Sequence, residues 1–169
     1  MAATNHRGAG RGQCPAAPGR PGHAGLSGAL ARLAADYGAT TAGAIDAAVA
    51  GADVIVLAVK PQQMREVAGE LAPHLKGGPL VLSIAAGIRG ADLSRWLGGY
   101  LPIVRAMPNT PALIGMGVTG LVALKGVSAE QRSAADSVLR AVGQTVWLDD
   151  EALIDPVTAV SGSGPAYVF

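Results

Sequence analysis

The sequence predicts an α/β fold: a doubly wound, mostly parallel sheet with helices on both faces. Three observations predict it. Residues 53–59 ("DVIVLAV"), 79–85 ("PLVLSIA") and 101–107 ("LPIVRAM") are continuous apolar runs, as in strands buried on both faces. The segments between them carry apolar residues three and four apart, the period of a helix laid on a sheet. Strand, helix and strand in that order require crossover connections, and crossovers make neighbouring strands parallel.

The elements follow in chain order. Residues 1–28 hold seven glycines, three prolines and three arginines, with no acidic residue, valine or isoleucine. A segment of that composition buries too little surface to offset its ordering entropy, so it is expected to be a disordered head. It lacks the amphipathic spacing and clustered basic residues of a transit peptide or nucleic-acid arm. Residues 29–37 read as a helix stopped at Gly38, and 44–50 as a second short helix ahead of Gly51.

The strand at 53–59 leads into a helix opened by Pro61, with Met64, Val67, Leu71 and Leu75 along one face. The strand at 79–85 precedes a short helix over 91–97, and the strand at 101–107 follows. Residues 117–124 ("GVTGLVAL") read as extended. Ser128 and Gln131 have capping-box spacing, so 128–142 reads as a helix with a defined start. A final strand covers 145–150 ("TVWLDD"). The "SGSGP" at 161–165 reads as a turn that cannot be a helix interior.

A chain of 169 residues fits one domain, or one domain with a short start on a second, and 50% hydrophobic residues supply its core. Charged residues make up 15% and the net charge is +1. That balance produces no broad field to gather nucleic acid or an anionic membrane, so a small-molecule partner is expected. The single cysteine, Cys14, allows no internal disulfide, and no apolar run has the length of a membrane span. The expected compartment is the cytoplasm.

In open parallel sheets, ligands bind beyond the carboxyl ends of the strands. The first run ends at Ala58 and Lys60, the second at Ala85, Ala86 and Gly87, and the third at Arg105, Met107, Asn109 and Thr110. All three ends are expected to face one mouth. Small residues let a flat ring or a phosphate approach the backbone, Lys60 adds a cationic donor, and Asn109 both donates and accepts. Each feature alone is commonplace, since a lysine after a strand is usually solvated and "AAG" is usually a turn. Their recurrence on successive strands is not. His6, His23 and His74 have no metal-ligand spacing, so no metal site is expected. Ser161 and Ser163 have no histidine placed to activate them.

In this order, "VIVLAVKPQ", "SIAAGI", "VRAMPNTPALIGMG" and "AVSGSGPAYVF" closely resemble the pyrroline-5-carboxylate reductase family, over residues 29–169. The resemblance implies an oxidoreductase that passes a hydride from NADPH or NADH to the imine carbon of 1-pyrroline-5-carboxylate, giving L-proline. It implies a Rossmann-like cofactor domain over 29–158, with 159–169 leading into the helical domain through which the family forms homo-oligomers. Carried over residue by residue, Ala58, Val59, Lys60 and Pro61 lie along the cofactor. Ile84, Ala85 and Ala86 lie beside the nicotinamide, and Lys60 and Asn109 line the substrate. The family's substrate-carboxylate loop and proton donor belong to the helical domain, so these residues alone are expected to lack an oriented acceptor and to be inactive.

The beginning departs from the family, which opens with a strand and a G-x-G-x-x-G turn. Gly8, Gly10 and Gly12 have no apolar run before them, so the first strand and glycine-rich turn are expected to be lost or degraded. Ile45 stands where the family commonly has an asparagine near the cofactor. The composition of 1–28 is also what GC-rich codons yield when read out of frame. Two other readings compete: a non-catalytic remnant that binds nucleotide weakly at most, and a different dehydrogenase such as a hydroxyacid type. "VRAMPNTP" with "SGSGPAY" argues against the second.

Overall fold

A computed structural model describes residues 2–4, 13–15, 24–42, 44, 45, 49 and 51–163. The elements are β1 (Ala2–Thr4), β2 (Gln13–Pro15), α1 (Ala24–Tyr37), β3 (Thr40–Ala42), β4 (Val54–Leu57), α2 (Pro61–Leu71) and β5 (Leu80–Ser83). There follow α3 (Gly90–Trp96), β6 (Ile103–Met107), β7 (Gly117–Ala123), α4 (Ala129–Arg140), β8 (Gly143–Trp147) and α5 (Ile154–Val157). Short 3-10 turns occupy Ala72–Gly77, Thr110–Ile114 and Glu151–Leu153.

The three apolar runs form the centre of the sheet, β4, β5 and β6, adjacent and parallel. Alternate side chains leave opposite faces, so each run supplies two cores at once. Ile55, Leu57, Val81 and Ile103 meet Met64, Val67 and Leu71 of α2 and Leu93 of α3. Val54, Leu80, Leu82, Val104 and Ala106 meet Ala135 and Leu139 of α4. Both faces are dry, which is why the runs show no polar alternation. The resulting Rossmann-like α/β fold has the strand order β3-β2-β1-β4-β5-β6-β7-β8.

The sheet is mostly parallel, with one reversal in its second half. β7 runs antiparallel to β6, pairing Val104 with Ala123 and Met107 with Gly120. Residues 108–116 join them, fewer than the roughly twelve that a crossover needs. α4 then supplies a full crossover, so β8 runs parallel to β7.

Of the residues expected to form a disordered head, 1, 5–12 and 16–23 lie outside the described residues. Ala2–Thr4 and Gln13–Pro15 join the sheet, and α1 begins at Ala24 rather than at residue 29. β1 lies antiparallel to β4, with Ala3 opposite Ile55, while β2 runs parallel to β3, a strand that the sequence did not suggest. Ladder hydrogen bonds are made by backbone, and the free edge of β4 is a template that any extended segment can pair with. β1 nevertheless runs against β4, whereas the strand that leads into a dinucleotide turn runs with its neighbours. Gly8, Gly10 and Gly12 lie outside the described residues, as does most of the short helix expected over 44–50.

The helices keep the ends their sequences specify. Pro61 stands at the first position of α2, where its missing N–H has no intrahelical partner to lose. Leu75, expected on that helix, is buried in the 3-10 turn that continues it. The capping box forms: Ser128 Oγ accepts from Gln131 N at 3.2 Å, and Gln131 Oε1 accepts from Ser128 N at 3.1 Å. Asp136 ties α4 to β8, one carboxylate oxygen accepting from Thr145 Oγ1 and the other from Arg140 Nε. The Arg132 guanidinium lies 4.5 Å from the centre of the Trp147 ring.

At the other end, Thr158–Ser163 continue α5 as a wide π-helical turn, so Ser161, Gly162 and Ser163 are helical where a turn was expected. Thr158 Oγ1 donates to the Ile154 carbonyl at 2.8 Å, a bond that competes with the regular ladder and accompanies its loosening. Gly164 and Pro165 lie outside the described residues. No helix among the described residues is long and apolar enough to cross a membrane.

Two outcomes follow from these contacts. Ser128→Ala removes one half of the capping box, and urea unfolding should register a loss of about 1 kcal/mol. The Thr145 hydroxyl, and after it Arg140, hold the Asp136 carboxyl below its usual range despite some desolvation. A carboxyl depressed on folding stabilises above its unfolded pKa, and that contribution is lost as the pH falls through the folded value. The urea midpoint should therefore drop below about pH 4, and drop less in Asp136→Asn.

Candidate functional site

Parallel pairing brings the carboxyl ends of β4, β5 and β6 out side by side. Leu57 lies opposite Ser83, Ser83 opposite Arg105, and the Ile84 N–H donates to the Leu57 carbonyl at 3.2 Å. Ala58, Val59, Lys60 and Pro61 therefore share one sheet edge with Ile84, Ala85 and Ala86, and with Asn109 just beyond β6.

The first tip leaves β4 through exposed Ala58 and half-buried Val59. Lys60 is extended (φ −61°, ψ 142°) and exposed, and its carbonyl accepts from Gln63 N at 2.9 Å as α2 begins. The second tip turns sharply. Ile84 is half-buried, Ala85 buried and Ala86 exposed, with the Ala85 N–H donating to Ser83 Oγ at 3.4 Å. Gly87 has φ 74°, a conformation that a β-carbon would strain, so the turn depends on a glycine there.

The third tip carries Asn109, half-buried and extended (φ −116°, ψ 168°). Its Oδ1 accepts from Val118 N at 2.9 Å, and its Nδ2 donates to Ser161 Oγ at 2.9 Å. The side chain thus joins the end of β6 to the start of β7 and to the turn after α5. One N–H and one oxygen lone pair remain for a ligand. Ser161 serves as its acceptor, a role that sequence reasoning did not assign.

Arg105 was expected at the mouth and is not there. It lies within β6, 4% exposed, and its Nη1 donates to Glu151 Oε1 at 2.5 Å. The two-residue period of the strand sends it to the same side as Ile103, under the helices rather than past the strand end. Glu151 was missed, because "DDEALID" reads as a solvated polar run. A signal existed, since an arginine inside an apolar strand requires a carboxylate partner, yet nothing local says which one.

Other polar features lie elsewhere. Tyr100 donates to the Pro79 carbonyl at 2.5 Å, and burial pushes its hydroxyl up to about 12. A groove of roughly 490 Å³ opens nearby, between Asp53, Pro79, Glu130 and Gln131. Both sit at the amino ends of β4 and β5, opposite the edge where the tips meet. Among the described residues, no three His, Cys, Asp or Glu gather as a metal-binding group.

Residues 27–87 match a family described as NADP oxidoreductase, coenzyme F420-dependent. Over 139 residues the chain is 55% identical to a pyrroline-5-carboxylate reductase of Pseudomonas aeruginosa, an alignment covering 82% of this chain and 51% of that protein. This chain is a relative of the pyrroline-5-carboxylate reductases. The solved pyrroline-5-carboxylate reductase of Coxiella burnetii agrees, superposing with a TM-score of 0.76 at 42% identity over 83% of this chain and 52% of that one. The pyrroline carboxylate reductase of Plasmodium falciparum, solved with NADP bound, superposes with a TM-score of 0.66 at 30% identity, over 75% of this chain and 49% of that one. The chain spans about half the length of the reductases it matches.

The Asn109 bridge has a measurable signature. Asn109→Ala and Ser161→Ala should each destabilise the chain, and a double-mutant cycle by urea unfolding should give a coupling of about 0.5–1.5 kcal/mol. Asn109→Asp keeps the acceptor for Val118 and can accept from the Ser161 hydroxyl in place of donating to it, so it should destabilise less than Asn109→Ala.

Proposed function

We propose that these residues form the dinucleotide-binding part of a pyrroline-5-carboxylate reductase, an oxidoreductase that uses NADPH or NADH to reduce 1-pyrroline-5-carboxylate to L-proline. The observation that carries the reading is the meeting of three strand tips on one edge, in a chain 55% identical to a reductase of that name.

The residues of that edge fit the cofactor. Ala86 and Gly87 are small and exposed beside buried Ala85, which leaves a shelf that a flat ring can lie on without displacing a side chain. Ala58, Val59, Lys60 and Pro61 would run along the cofactor, with Ile84, Ala85 and Ala86 against the nicotinamide. A reduced nicotinamide, when bound, supplies the hydride for the imine carbon. The Lys60 ammonium would draw in the negative charge of a phosphate or of the substrate carboxylate. Asn109, already fixed at both ends of its amide, would offer its remaining N–H and lone pair from a pre-set orientation. Cytoplasmic location and assembly into homo-oligomers belong to the same reading.

Because the chain spans about half the length of its relatives, nucleotide binding is the activity proposed for these residues by themselves, and turnover is measured separately. Titration of NADPH and NADH by fluorescence should give saturable binding. Ala86→Leu fills the shelf at an exposed position and should weaken binding about tenfold, or about 1.4 kcal/mol, without lowering the urea midpoint. Lys60→Ala should weaken it by a smaller factor. Absence of binding to either nucleotide, or unchanged affinity in Ala86→Leu, would refute the reading. NADPH oxidation with pyrroline-5-carboxylate, assayed in parallel, reports whether the substrate side is complete.

A further inference from the structure

We infer that Glu151 is a positioning residue for the edge where the strand tips meet, holding the loop over residues 84–89 against β6. The inference rests on the reading of that edge as a nucleotide site. Glu151 Oε1 accepts two hydrogen bonds, from Arg105 Nη1 at 2.5 Å and from the Gly90 N–H at 2.6 Å. Gly90 is the residue that follows the loop and opens α3. Arg105 belongs to the strand next to that loop. A single carboxylate oxygen therefore joins the far end of the loop to the neighbouring strand, while the near end is held by the Ile84 N–H on the Leu57 carbonyl.

The exposures explain why the carboxylate cannot move away. The Arg105 side chain is 5% exposed and that of Glu151 32%, so the guanidinium has little access to water and depends on Glu151 for its counter-charge. Arg105 is fixed in turn by the β5–β6–β7 ladders. The position of the carboxylate is thus set by the strand, and the Gly90 N–H is set by the carboxylate. A shift of the loop relative to β6 would break the bond to Gly90. The same stretch of chain is held again at its other end, where Ser161 accepts from Asn109. Arg105 with Glu151 and Asn109 with Ser161 clamp residues 151–161 along the end of β6, and the loop bearing Ala85 and Ala86 is fastened to the clamp through Gly90.

The test uses the chain itself, with hydrogen exchange read by mass spectrometry and NADPH titrated by fluorescence. Glu151→Gln keeps an acceptor for Gly90 and should retain the protection of residues 84–90, although the urea midpoint falls as Arg105 loses its counter-charge. The double variant Arg105→Met with Glu151→Leu removes the pair without stranding a buried charge, so it should fold. In it, residues 84–90 should exchange about tenfold faster while 129–140 stay protected, and NADPH should bind several-fold more weakly. The inference is overturned if the double variant keeps its loop protected, if exchange rises equally in 84–90 and 129–140, or if Glu151→Gln loosens the loop as much as the double variant. Should the unmodified chain bind no nucleotide, the functional reading fails, and the exchange experiment still decides the clamp.

Discussion

The in-register parallel pairing of β4, β5 and β6 is the constraint on which the rest of the molecule depends. Parallel strands carry their hydrogen bonds only where both faces are covered, so the pairing demands α2 and α3 on one side and α4 on the other. Ile55, Leu57, Leu80, Leu82 and Ile103 have no solvent exposure, and fully burying each such side chain contributes roughly 1.5–3 kcal/mol. The same pairing gives the three strands one direction. Their carboxyl ends therefore emerge together, which assembles the candidate site.

The reversal at β7 changes what can reach that edge. A short link makes β7 antiparallel, α4 returns the chain to start β8, and residues after Trp147 come back toward β6. Gly120 eases the approach, since a β-carbon there would lie 3.2 Å from Val157 Cγ1 and that side chain would have to give way slightly. Ile154 packs away from solvent, and the helical stretch that follows carries Ser161 to Asn109. A run that looks like surface polar sequence thereby acquires two fixed points, one on β6 at Arg105 and one just beyond it at Asn109.

The polar groups at this junction are connected rather than merely close. Glu151 serves a guanidinium and a helix-initial N–H with one oxygen, and Asn109 uses both ends of its amide. Networks of this kind trade solvation for geometry: once a charge is buried, its partner must occupy one position.

The sequence alone determined the local features. The buried strands, the faces of α2, the capping box of α4 and the small residues after each apolar run were legible because each depends on neighbours a few positions away. Shared strand ends followed from the expected parallel order, which placed Lys60, Ala85, Ala86 and Asn109 on one edge. Only the tertiary structure decided the direction of β7, the strands in the first 28 residues, the helical state of Ser161 and the partners of Arg105 and Asn109. Those depend on which distant group meets which. Arg105 must be neutralised, but whether by Asp92, Asp149 or Glu151 is a matter of where the chain returns. Periodicity reports burial, and burial is a property of one segment; pairing belongs to two, and the spacing within either does not contain it.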